Sequence, residues 1–426
     1  MSIWYRCSDR RETAWCNWRG ISDRRTMTGI PDTPRPLAGH RVLEVGGSLP
    51  VAAAAKLFSD YGADVIKVEP IGGASMRRLP PFPGDIPDLE AGVWHVALDT
   101  GKRSVVVDIE TASGREVLDR LCAQADLVLV HAASALALDI REGVRALATP
   151  PAFVVLTEHG LDGPRSSHIE NDTSLFAWTG RMRQHAIAGE EPLRYAPHVA
   201  EMQWAATASA AGVAALWAHA SGQPAREVEV SGVEALTGNV DSWFVAWEFL
   251  GVESPRVAGQ SNAAYPAGCY RCADGYVVFA AAGQPFFTRL CEGIGHPELA
   301  TDPRFADPAQ KPLHFDGFFA VLDPWLRART KHEIFTTLQQ YGVMVSPVLD
   351  ASEVAGDAQA VARQSFVERT LPGDGTTLIA GPPFRMADGW EAGPPPRVGG
   401  HTDEVLRDLG YTSTERLALF RAGVTG

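Results

Sequence analysis

Gly46-Gly47 closes one apolar run and Glu69 closes the next, and these are the residue types that hold a dinucleotide. Such a site needs G-x-G-x-x-G, so that the backbone can approach a pyrophosphate, with an acid about twenty residues further on for the ribose. Glu69 stands near that place, but Gly46-Gly47 runs on into Ser-Leu-Pro-Val-Ala. Neither the close approach to a pyrophosphate nor the tight helix–strand contact is provided for, so NAD and FAD are disfavoured. Cys269-Tyr-Arg-Cys272 has the spacing of half a zinc site. No second Cys or His pair follows at a matching distance, so the two read as structural cysteines and no metal is expected. His168, His185 and His198 have no spacing that marks a site.

The elements that would position any chemistry begin at Arg41-Val-Leu-Glu-Val-Gly-Gly. Residues 49 to 61 follow as an alanine-rich helix, and Gly62-Ala-Asp-Val-Ile-Lys-Val-Glu69 as a second strand. A β-α-β unit points the unpaired N–H groups of its helix at whatever sits above the first strand. Prolines at 80, 81, 83 and 87 make Met76 to Glu90 a surface loop. Strands are predicted at Ser104 to Ile109, Asp126 to Val130 and Ala152 to Thr157, with an amphipathic helix at Thr111 to Cys122. The repeated strand–helix order implies an α/β, doubly wound parallel sheet, whose ligands lie beyond the carboxyl ends of the strands. That rule points to the loops after Gly46, Glu69, Val130 and Thr157.

Further on, Met202 to Ala220 reads as a long helix, Arg226 to Val230 as a strand, and a helix runs through Leu250. The expected division is an extension at 1–35, a large Rossmann-like domain from 36–225, and a linker region at 226–264. A smaller α+β domain at 265–348 and a return to the large domain at 349–426 complete it. A C-terminal helix is expected at Asp403 to Leu409, capped by Thr402 and stopped by Gly410. Residues 1 to 26, rich in Arg and Trp, read as a poorly ordered arm, with Met27 as an alternative start.

The 426 residues are 45% hydrophobic, enough for a large core. Lys and Arg total 38 against 51 Asp and Glu, a formal charge of -13 that argues against nucleic acid or an anionic membrane as partner. A polyanionic ligand would therefore need a local basic patch. Six scattered cysteines, no secretory h-region and no membrane-length apolar run suit a cytoplasmic protein.

Pro36-Leu-Ala-Gly-His-Arg-Val-Leu-Glu-Val-Gly and Gly62 to Gly73 resemble the opening of the family III CoA-transferases, the group that contains formyl-CoA transferase and α-methylacyl-CoA racemase. Gly101-Lys-Arg-Ser-Val-Val-Val-Asp108, Gly163-Pro164, Asp274-Gly275-Tyr276 and Pro396 to Leu406 follow in the family's order, so the resemblance runs from about residue 35 to the C-terminus. It implies coenzyme A, carried as an acyl-CoA substrate, a free carboxylic acid as the second substrate, no metal, and two subunits threaded as an interlocked homodimer.

By the same resemblance the nucleophile is a carboxylate just before an apolar helix. Matching that helix to Ala210 to Leu216 puts Glu201 there, where the family has Asp; a solvated carboxylate at a helix start is the alternative role. A carboxylate suits the role because its acyl derivatives exchange with thiolates and with other carboxylates. Asp172 matches a second position that serves acid–base chemistry in the racemase branch; helix N-capping is the alternative role. The histidine that would partner it is absent from Ala132 to Pro151. His159 replaces the aromatic residue of a Gly-aromatic-Gly turn and is expected in the acyl pocket or bonded within its own loop. Lys67, Arg77, Arg78, Lys102, Arg103 and Arg141 are the candidates for the CoA phosphates, or else ordinary surface charges. The family's turn after the strand at Val130 is replaced by His131-Ala-Ala-Ser-Ala135, and the one at the first helix by Pro50-Val51-Ala52. Trp178, Trp243 and Trp247 are candidates to line a site for a bulky or polycyclic acyl group, with core packing the favoured alternative for each. CoA transfer is the expected function; racemisation through Asp172 and a non-catalytic partner role are the alternatives.

Overall fold

The computed structural model describes residues 35–131, 134–185, 189–224, 227–238, 242–253, 264–371, 375–386 and 393–426. Residues 254–263 of the linker region expected at 226–264, and the N-terminal arm, lie outside the described residues. Strands β1 (Arg41–Val45), β2 (Asp64–Glu69), β3 (Arg103–Val106), β4 (Leu127–His131), β5 (Ala152–Thr157) and β6 (Glu227–Ser231) form one parallel sheet in the order 3-2-1-4-5-6. The strand order reverses at β1, which pairs with β2 on one side (Leu43 opposite Ile66) and with β4 on the other (Leu43 opposite Val128). In a doubly wound fold this is the point at which ligands bind, beyond the carboxyl ends of β1 and β4.

Helices cover both faces, as near-continuous apolar strands require. The helices that follow in chain order are α1 (Leu49–Asp60), α2 (Val93–Leu98), α3 (Ala112–Ala123), α4 (Ser134–Arg145), α5 (Asp172–Trp178), α6 (Arg181–Gln184), α7 (Val199–Ala220), α8 (Gly232–Thr237) and α9 (Ser242–Leu250). One face buries Val42, Val65, Leu127 and Val154 under α1 and α7. The other buries Leu43, Ile66, Val128 and Phe153 under α3 and α4. The alanine content of α1 and α7 lets the two helices close on each other: a Cβ at Gly212 would stand 2.9 Å from the Phe58 ring.

Gly46 shows why the first turn is glycine. Its φ is +115°, and a Cβ there would stand 1.8 Å from the His131 carbonyl oxygen. Gly46→Ala is therefore expected to cost at least about 2 kcal/mol, because backbone strain and collision add. A fall in the urea unfolding midpoint at unchanged slope would report it.

A second cluster gathers Tyr265, Tyr270, Val277, Phe279, Phe287, Phe318, Leu322 and Ile334. It joins the antiparallel sheet of β7 (Ala267–Arg271), β8 (Tyr276–Ala280) and β9 (Val345–Pro347) to helices α10 (Phe286–Gly293), α11 (Pro303–Ala306), α12 (Phe315–Arg327) and α13 (Lys331–Gln339). The segment after residue 348, read from sequence as the return to the large domain, carries α14 (Ala351–Gly356), α15 (Ala358–Ala362) and a hairpin of β10 (Phe366–Thr370) with β11 (Thr376–Ala380). Such short elements with half-exposed faces leave little periodicity to read.

The C-terminal pair is α16 (Thr402–Asp408) and α17 (Ser413–Arg421). Thr402 does not cap α16 as expected. The cap residue is His401, and the Thr402 hydroxyl accepts the Val106 N–H at 3.1 Å, tying α16 to the edge strand. The edge strand itself is shorter than predicted. Past Val106 the chain meets its own C-terminus, with Val107 bridging Thr425 and the Asp108 N–H donating to the Val424 carbonyl.

Candidate active site

Glu201 lies in the first turn of α7, with a side chain about one-fifth exposed. Its Oε2 is 2.7 Å from His198 Nδ1. His198 is the residue before the helix and sits at φ +67°, a conformation uncommon for a residue with a Cβ. The edge of Trp94, with ring centroids 4.7 Å apart, backs its ring.

Asp172 is not the N-cap of its own helix. Asn171 fills that place with a capping box, while Asp172 Oδ1 accepts the N–H groups of Ala200 (2.9 Å) and Glu201 (3.2 Å). Two sequence candidates thus meet, and Asp172 caps the helix that carries Glu201. The pairing spans 28 and 29 residues of chain, so no local cap signal announces it.

His159 bonds to a different carboxylate. Its Nε2 lies 2.8 Å from Glu170 Oε1, and the Trp178 Nε1–H donates to the same oxygen at 2.8 Å. The bond from His159 holds the Glu170 carboxyl below its ordinary range. Arg165 lies over the Trp178 ring, at 4.6 Å from its centroid. His159, His168 and Glu170 bring their ligating atoms within 4.8 Å of one another, a grouping that could hold a cation. Trp178 and Trp247 are each about half exposed, and the Trp243 side chain lies outside those described.

The basic candidates separate by burial. Lys67 and Lys102 are fully enclosed between Glu44 and Asp99, with Lys67 at 3.1 and 2.9 Å and Lys102 at 2.7 and 3.0 Å. Arg77 is buried against Glu69 at 2.7 Å and touches His95 Nε2 at 3.0 Å. The charges of these three face internal carboxylates, not solvent. Strand and loop residues that look like a basic patch in sequence are turned inward because each has a buried acid to meet. Arg78 donates to the carbonyls of Gly72, Gly73 and Ala74. Arg103 pairs with Asp64 and Glu404, yet lines a surface recess of about 430 Å³ with Arg397 and His401. Arg141 is about a quarter exposed on α4.

Sequence reasoning did not single out a set of residues that meets at the carboxyl ends of β1, β4 and β5. Ser48 Oγ, after β1, stands 2.5 Å from Nδ1 of His131, at the end of β4. Nε2 of His131 is 3.4 Å from Glu158 Oε1, after β5, and the ring lies edge-on to Trp204 with centroids 5.1 Å apart. Trp204 is on α7, one turn beyond Glu201. The signal that was available is the placement of His131 and Glu158 at two of the strand ends where a doubly wound fold binds its ligands.

The family described as CoA-transferase family III matches residues 37–402. The chain belongs to that family. As a family III chain it is 28% identical over 401 residues to succinyl-CoA:(R)-benzylsuccinate CoA-transferase subunit BbsE of Thauera aromatica, covering 90% of this chain and 96% of the relative. It is 26% identical over 396 residues to succinyl-CoA–D-citramalate CoA-transferase of Chloroflexus aurantiacus, covering 91% and 98%. A CAIB/BAIF family protein from Brucella suis shares the fold, with TM-score 0.77 and 24% identity over 88% of this chain and all of that one. Among the described residues, no helix of this family III chain is long and apolar enough to cross a membrane.

Proposed function

We propose that this protein transfers coenzyme A from an acyl-CoA thioester to a free carboxylic acid, with Glu201 as the covalent nucleophile. The observation that carries the reading is the seating of Glu201: a part-exposed carboxylate held by His198, on a helix whose first N–H groups are capped by Asp172. The named activities of the relatives support the reaction class.

In this reading Glu201 attacks the thioester carbonyl, the C–S bond breaks, and CoA thiolate leaves a mixed anhydride. The thiolate then attacks the glutamyl carbonyl, releasing the donor acid and forming a glutamyl-CoA thioester. The acceptor carboxylate attacks that thioester, and the released thiolate takes the acceptor acyl group, regenerating Glu201. The extra methylene of Glu relative to Asp is accommodated by the His198 contact, which fixes the end of the longer side chain. Asp172 acts here as a positioning residue, and Arg103, beside its recess, is the candidate for a phosphate contact.

The test is intact-mass spectrometry after incubation with a panel of acyl-CoA donors and borohydride trapping. A CoA-sized adduct, or its reduced alcohol, mapped to Glu201 supports the reading, and absence of any adduct at that residue across the panel overturns it.

The assembly in this reading is an interlocked homodimer. The exposed Trp247, Phe249 and Leu250 of α9, together with Trp217 on α7, form apolar surface that a monomer would leave in water. Light scattering is expected to give twice the chain mass for the wild type, and a mixture shifted to the single-chain mass for Trp247→Glu with Phe249→Glu.

A further inference from the structure

We infer that Ser48, His131 and Glu158 form a second catalytic constellation, one that hydrolyses acyl-CoA thioesters through an acyl-serine. The observation that decides for chemistry over structure is what Ser48 does not do. It occupies the N-cap position of α1, where a serine normally accepts an N–H of the first turn, yet it makes no such bond. Its hydroxyl is turned to His131 Nδ1 at 2.5 Å instead. His131 is engaged at its other nitrogen, Nε2, by Glu158 Oε1 at 3.4 Å. Nucleophile, base and orienting carboxylate stand in order, and the three come from the ends of neighbouring strands at the point where the sheet reverses. Ser48 and His131 are both part-exposed, at the strand ends where a doubly wound fold binds its ligands.

The tautomer follows from the geometry. A carboxylate at Nε2 holds the proton there, which leaves the Nδ1 lone pair for the Ser48 hydroxyl. Oγ attacks the thioester carbonyl while Nδ1 takes its proton. The C–S bond then breaks, and CoA leaves as the thiol with the proton returned from Nδ1. Water attacks the acyl-serine ester with Nδ1 again as base, the acyl C–Oγ bond breaks, and Oγ takes the proton back as the free acid departs. The balance is one thioester and one water in, one acid and one thiol out. The developing oxyanion lies beside the start of α1, where the N–H groups of Leu49 and Val51 have no carbonyl to reach within the helix and Pro50 has no N–H. Glu201 takes no part in this route, which competes with transfer for the same thioester.

The experiment uses the whole chain. A fluorophosphonate probe reports whether Ser48 is an activated nucleophile, and thiol release from acetyl-, succinyl- and benzoyl-CoA without acceptor acid reports hydrolysis. The expected result is probe attached to Ser48 by peptide mapping, labelling at least tenfold slower in His131→Gln, and thiol release at least tenfold lower in Ser48→Ala. Ser48→Cys, with circular dichroism on every variant, guards against a folding defect, since it keeps a nucleophile and is expected to retain part of the release. No label at Ser48 overturns the inference, and so does thiol release that is nil across the panel or undiminished in Ser48→Ala. The glutamyl adduct is read separately by mass, so the transferase reading and this one can each fail alone.

Discussion

Replacing Glu201 by Gln is expected to lower kcat for CoA transfer by about 10³-fold or more, with little change in unfolding midpoint. The amide keeps the shape of the side chain and a partner for His198 at 2.7 Å, but it removes the nucleophilic oxygen on which every step of the proposed route depends. Glu201→Asp is the informative companion. It keeps the chemistry and withdraws the carboxylate by one methylene from both His198 and the thioester, so an intermediate loss of about 10²-fold is expected. Asp172→Ala separates support from chemistry. It uncaps α7 by removing the acceptor of two N–H bonds, for about 0.5–2 kcal/mol of stability, and it should slow transfer while leaving an adduct at Glu201 detectable. Equal rates in Glu201→Gln and wild type would remove Glu201 from the reaction.

The largest effect on stability is expected at Lys67. Its ammonium and that of Lys102 are shared by Glu44 and Asp99, and all four side chains are fully buried. Lys67→Met would leave two buried carboxylates with one cation, an uncompensated charge that costs about 3–5 kcal/mol when a single partner is removed. Urea titration would show it as a lower midpoint at the same slope. The acid limb of stability carries a second signature. Burial by itself would raise the Asp99 carboxyl, but Lys67 and Lys102, with His95, hold it well below its ordinary range. A group whose folded pKa is depressed contributes stability above its unfolded value, about 3.9, and loses it as pH falls through the folded value. The wild-type contribution therefore disappears only well below pH 4. In Lys67→Met the Asp99 carboxyl rises, and the acid unfolding midpoint is expected to move to higher pH. A midpoint that stays in place would show that Lys102 alone suffices.

The basic residues illustrate why a charge pattern is a weak guide to a phosphate site. Lys67 and Lys102 sit in segments that resemble the family in sequence and Arg77 in the loop between them; the two lysines face Glu44 of β1 and Asp99 at the end of α2, and Arg77 faces Glu69 at the end of β2. A lysine in a strand reads the same whether it faces water or a buried carboxylate, because the partner lies many residues away.

What the amino-acid sequence determined by itself is the part governed by local periodicity and backbone chemistry. The apolar runs at residues 41–45 and 64–69, the alanine-rich helix between them and the glycines at 46 and 47 specify a strand–helix–strand unit, and its repetition specifies a doubly wound sheet. Glu201 is singled out in sequence by a local feature, its place at the start of an apolar helix. What only the tertiary structure decided is which distant groups meet. Asp172 reaches across to the start of α7, His198 turns back on Glu201, and β1, β4 and β5 bring Ser48, His131 and Glu158 together over separations of 83 and 27 residues. Hydrogen bonds and ion pairs depend on distances of about 3 Å, and such distances between remote residues are set by packing of the whole sheet and its helices, not by any window of the chain.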